Sequence, residues 1–99
     1  MSAACPRLGF LVLTELRVAA NSAAVLESAY RFATWLAGCG LECETQADPR
    51  QAGRVRWSIS RTGCQADEAD REAVMQWLAE DATLRATAVS PVHDLEESV

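Results

Sequence analysis

The stretch "RVRWSISR", residues 54–61, alternates almost without exception. Val55, Trp57 and Ile59 fall on one side, and Arg54, Arg56, Ser58 and Ser60 on the other. A period of two is what a strand shows when one of its faces lies against a core. The preceding stretch, "LECETQ" (41–46), alternates as well, with Leu41, Cys43 and Thr45 set against Glu42, Glu44 and Gln46. Between them "ADPRQAG" (47–53) carries Pro and Gly and reads as a connecting loop. The pair is a hairpin, and the segments that flank it decide the fold.

On both sides the period changes. In "NSAAVLESAYRFATWLAGCG" (21–40), Val25, Ala29, Phe32 and Leu36 recur at helical spacing, flanked by Leu26 and Ala33. Asn21 or Ser22 suits the N-cap, and Gly38 and Gly40 the C-cap. Glu27 and Arg31 are set for an i,i+4 pair. Tyr30 and Trp35 lie at the edge of the stripe, where packing against the core is expected and exposure of one of them is the alternative. After the hairpin, "ADEADREAVMQWLAED" (66–81) reads as a second helix, with Ala73 or Val74, Trp77 and Leu78 buried. Asp67, Glu68 and Asp70 in its first turn complement the macrodipole and cap free N–H groups.

Strands close both ends. "LGFLVLTELRV" (8–18) sets Phe10, Val12, Thr14, Leu16 and Val18 against Leu11, Leu13, Glu15 and Arg17. Both sides start apolar, which suits a central strand. In "TLRATAV" (83–89), Leu84, Ala86 and Ala88 stand opposite Arg85, Thr87 and Val89. The order β-α-β-β-α-β predicts a ferredoxin-like α+β sandwich, a four-stranded antiparallel sheet with two helices on one face. The ends, 1–7 and the tail "SPVHDLEESV" (90–99), are expected to fray.

Ninety-nine residues make a single domain able to bury one core. The net charge of −5 argues against nucleic-acid binding by the chain on its own. Nine Arg and no Lys point first to a coding bias toward arginine. The apolar run Leu8 to Leu13 is too short for a membrane span or a signal peptide, so a cytoplasmic location is expected and no membrane partner. Cysteines at 5, 39, 43 and 64 lack the paired close spacing of a zinc site, and His93 stands far from most of them. Reduced thiols and no metal are expected.

No Ser/His or Cys/His constellation is present, and "GCG" (38–40) ends a helix instead of opening a phosphate loop. The reading is therefore non-enzymatic, with no cofactor. An RNA-recognition sheet needs aromatics on its open face. Trp57 shares its side with Val55 and Ile59, which disfavours that use. A mixed-charge face remains: Arg17, Arg54 and Arg56 near Glu15, with Glu42 and Glu44 across the hairpin. It is either a solvated set of cross-strand pairs or a partner-binding surface for a protein or ribonucleoprotein. Two rivals stand beside docking. An acidic inhibitor or immunity-type protein would use the run 67–72 with Asp94, Glu96 and Glu97 against a basic partner. A homodimer would pair sheet faces or edge strands.

Short signatures also recur in order: "LGF" (8–10) with Val12, "GC" (63–64) ahead of the acidic helix, "VMQWL" (74–78), and "VSPVHDL" (89–95). In order and spacing this resembles the YggL family, small bacterial proteins associated with the large ribosomal subunit. The resemblance spans residues 8 to 95 and implies ribosome association. It departs from the family where a basic segment precedes the Leu-Gly-Phe, since "MSAACPR" has a single Arg.

Overall fold

A computed structural model of the chain describes residues 8–16, 22–51, 53–61, 65–81 and 83–95. The elements follow the expected order: β1 (Leu8–Leu16), α1 (Ser22–Gly38), β2 (Leu41–Ala47), β3 (Val55–Arg61), α2 (Glu68–Glu80), β4 (Leu84–Val89), then a short β5 (His93–Asp94). They form one antiparallel sheet in the order β2-β3-β1-β4, with β5 also on β1. This α+β arrangement is consistent with a ferredoxin-like sandwich, and β5 is an addition to the four strands expected. Among the described residues no helix is long and apolar enough to cross a membrane.

One side of every long strand faces the helices. Phe10 and Val12 of β1 pair with Ile59 and Trp57 of β3, and all four are buried. Phe32 and Leu36 of α1 and Val74 and Leu78 of α2 join them in a single core. An aromatic stack ties the two helices together. Phe32 meets Trp57 edge-on at 4.7 Å and Trp77 face-on at 5.0 Å, and Trp35 stacks on Trp77 at 5.5 Å. The choice between Ala73 and Val74 falls to Val74; Ala73 is exposed. The side chain of Val25, and Asn21, lie outside the described residues.

The indole of Trp57 is the largest fully buried side chain, and its Nε1 needs a partner. It donates to Thr14 Oγ1 at 2.9 Å, and that hydroxyl donates on to the Val55 carbonyl at 3.4 Å. Thr14 thus sits in the core for a polar reason.

Helix ends follow local chemistry. Gly40, at φ +77°, turns the chain from α1 into β2. Asp67 caps α2 in a reciprocal box: its carboxylate accepts from the Asp70 N–H at 2.9 Å, and that of Asp70 accepts from the Asp67 N–H at 3.1 Å.

Four details differ from expectation. Tyr30 and Leu26 are 75% and 71% exposed, so the α1 apolar face is narrower than its composition suggests, and only Trp35 packs at its edge. Arg31 reaches across to Asp81 with two bonds of 2.9 and 3.1 Å instead of pairing with Glu27. In β4 the sides exchange. Ala86 pairs Thr14 while Ala88 pairs Leu13, so Thr87 is an extra residue, a β-bulge. Beyond it Val89 turns toward the core and Ala88 to the open face.

Residues 90–94, finally, continue the sheet, while 96–99 lie outside the described residues. At the break after β4, the Ser90 N–H donates to Leu11 O at 2.8 Å, and the Ser90 Oγ accepts from the Leu11 N–H at 2.7 Å. β5 then pairs His93 and Asp94 with Gly9 and Leu8. A Cβ on Gly9 would overlap the Ile59 carbonyl and come within 2.7 Å of Leu95 Cδ1, so only glycine lets β1, β3 and the tail close together here.

Thr14→Val keeps the volume but orphans the indole N–H, and should cost about 1–3 kcal/mol in urea unfolding. An unchanged midpoint would mean the hydroxyl is dispensable. Gly9→Ala should also lower the midpoint, by forcing β1 and β3 apart.

Candidate functional site

The face of the sheet turned away from the helices is built by register. Antiparallel partners share a face, so Leu11 lies beside Ser58, Leu13 beside Arg56, and Glu15 beside Arg85. β2 adds Glu42 opposite Ser60, Glu44 opposite Ser58 and Gln46 opposite Arg56. Arg54 precedes β3 on the same side.

The expected partner-binding residues separate into distinct situations. Arg54 is engaged: one guanidinium nitrogen lies 3.5 Å from Glu15 Oε2 and another 3.9 Å from Asp48 Oδ2. Glu15 also accepts from Arg85, a partner that strand periodicity alone does not disclose. The result is a chain of charge, Asp48–Arg54–Glu15–Arg85, running across the sheet. Glu42 and Glu44 are exposed but stand opposite serines, because loop 48–54 sets a register that gives Gln46 to Arg56. Arg17 lies outside the described residues. Arg56 is exposed and has no ion-pair partner among the described residues.

Arg56 stands between a polar hollow, shared with Glu44, Thr45, Gln46 and Ser58, and an apolar one. Leu11 and Leu13 are half-buried, and with Ala88, Val89, Ser90 and Arg56 they line a shallow hollow of about 430 Å³. A smaller hollow of about 210 Å³ lies between Arg54, Arg56, Leu13 and Pro49. The apolar start of both sides of β1 is the sequence signal for Leu11 and Leu13. The contribution of Ala88 depends on the bulge at Thr87.

Several carboxylates elsewhere are occupied within the fold. Burial works to raise the pKa of Asp70, yet the bonds from Arg61 and from the Asp67 N–H outweigh it and hold the carboxyl below its ordinary 3.8. Asp81 follows the same balance. Burial raises its pKa, the Leu84 and Thr83 N–H groups and Arg31 lower it more, and the net shift is downward. Glu15 is lowered first by its bond from Arg85 and then by Arg54, against opposing desolvation. Glu68 pairs with Arg71 at 2.8 Å. The acidic run that would serve an inhibitor is therefore partly occupied in capping and ion pairing.

Cys39 is exposed, and Cys43 is half-buried with its thiol pushed up by burial. Cys5 and Cys64 lie outside the described residues. Among the described residues no group of His, Cys, Asp and Glu is set to hold a metal ion. Compared with known proteins, the chain matches no family model, no curated protein and no solved structure.

Carboxylates with lowered folded pKa values stabilise the fold above the ordinary carboxylate range, and that stability drains away as pH falls through the lowered values. Asp70→Asn should therefore be less stable than the parent at neutral pH, and the gap in urea midpoint should close as pH falls below the ordinary 3.8 of an aspartate. A gap independent of pH would show that the charge of Asp70 does not matter.

Proposed function

We propose that this chain is a small, non-enzymatic, cytoplasmic docking protein of ferredoxin-like fold whose partner is the large ribosomal subunit, engaged through the open face of the sheet. The observation that carries the docking part is Arg56. Its guanidinium stands without an ion-pair partner among the described residues, beside the half-buried Leu11 and Leu13. An arginine over apolar surface, ringed by charges already paired with each other, has the composition of an interface centre. Its planar fork suits phosphates and carboxylates alike.

The ribosomal identity of the partner rests on the resemblance to the YggL family. The residues that carry that resemblance at the two ends of the chain meet in space. Leu8 and Gly9 pair with Asp94 and His93, and Ser90 bonds to Leu11. They belong to one structural corner beside the Leu11 hollow.

Arg56→Glu should weaken co-sedimentation with large subunits by about tenfold or more, with the urea midpoint unchanged. The same reversal at Arg54, which Glu15 and Asp48 already hold, should act less on binding and more on stability. Co-sedimentation that is unaffected by Arg56→Glu would remove the open face from the interface. No co-sedimentation of the parent protein would remove the ribosome.

A further inference from the structure

The two edges of the sheet are treated differently. On β4, pairing is interrupted by the bulge at Thr87. The Arg71 side chain also covers the strand's end, donating to Ser90 O at 2.8 Å and Val89 O at 3.5 Å. A bulge and an arginine over edge carbonyls blunt a strand against further pairing. Among the described residues β2, the opposite edge, has neither. It runs seven residues in unbroken register with β3, from Leu41↔Arg61 to Ala47↔Val55, and contains no Pro, Gly, Lys or Arg. As an edge strand it turns alternate backbone N–H and C=O groups away from its neighbour.

We propose that β2 is a docking edge that takes an extended basic segment of a protein partner as an added antiparallel or parallel strand. Main-chain bonds along the edge supply affinity, and alternate side chains supply selection. On the open face the selecting groups are Glu42 and Glu44, both exposed, and the strand bears no positive charge. On the helix side Thr45 and Ala47 are exposed and small, leaving room for β-branched or small residues of the incoming strand. The occupant therefore alternates Arg or Lys with Val, Thr or Ala. The same charges disfavour a second copy of the chain, since antiparallel β2–β2 pairing would gather these carboxylates on one face. The net charge of −5 attracts a basic segment and repels another copy. This edge borders the Arg56 face but differs from it in chemistry, and would act whether or not ribosomes bind there.

The test is a synthetic peptide matching the seven residues of β2 in length, alternating Arg with Thr and Val, titrated into the full chain. Amide chemical shifts and hydrogen exchange are read residue by residue. Binding with new protection along 41–47 is expected. An analogue N-methylated at alternate positions keeps its charge but cannot pair along the edge, and it should not bind. Joint Glu42→Arg and Glu44→Arg substitution should weaken the parent peptide about tenfold or more and favour a Glu-alternating one. Ala88→Glu, on the β4 side of the hollow and away from β2, should leave peptide binding intact, which separates this edge from the proposed ribosomal face. Equal binding by the N-methylated analogue, protection on another element, self-association through 41–47 in place of peptide binding, or no binding at all would each overturn the proposal.

Discussion

Burial of the Trp57 indole constrains strand register, helix placement and the composition of the open face together. An aromatic of that size is accommodated only where both helices can cover it, and its N–H then needs a partner in the interior. Thr14 supplies that partner from the neighbouring strand and donates its own proton to the Val55 carbonyl. A one-residue slip of β3 against β1 would turn Trp57 to solvent and Arg56 into the core. The bond therefore specifies register as well as stability. Once register is set, the open face carries Arg56 and Ser58 from β3, with Ser60 buried on the same side, and Leu11, Leu13 and Glu15 from β1.

Charge is arranged around that frame with economy. Arg61 of β3 holds Asp70, which also closes the cap of α2, and donates to the Cys39 carbonyl at the end of α1 at 3.2 Å. One guanidinium thus fastens a strand to both helices. Arg31 and Asp81 tie α1 to the C-terminal end of α2, where Asp81 also accepts from the N–H groups of Thr83 and Leu84. Glu15 joins Arg54 and Arg85 across the sheet. Since these pairs are partly buried and share partners, they act as structural fasteners more than as isolated surface bridges. Arg56 on the face has no such ion pair among the described residues.

The C-terminal segment shows how one inserted residue changes a surface. The bulge at Thr87 moves Val89 into the core and Ala88 onto the open face, where it completes the hollow with Leu11 and Leu13. Ser90 then carries the ladder across the break with its hydroxyl, and β5 resumes pairing against Leu8 and Gly9. A tail of this composition is polar enough to fray. Its residues 90–95 are retained because β1 offers β5 an unpaired edge, and because Gly9 leaves space for Leu95.

Local pattern was enough for the element order, the burial of Val55, Trp57 and Ile59, the capping role of Asp67, and the turning of the β3 aromatic away from the open face. These come from periodicity and from the chemistry of residues near one another in the chain. Pairing between distant segments was not legible. Glu27 offers Arg31 an adjacent partner, yet Asp81 holds it from the far end of the other helix. Alternation alone sets Glu42 and Glu44 toward the arginines, but the hairpin loop places Gln46 there. A stripe of apolar residues on α1 did not reveal that Leu26 and Tyr30 face outward, since how much of a helix is covered depends on the neighbours it meets. Sequence by itself determined which side of each strand prefers the core, because that preference is a property of the residues. Tertiary structure decided which charges neutralise one another, because that depends on register, bulges and helix placement, all set by contacts between segments far apart in the chain.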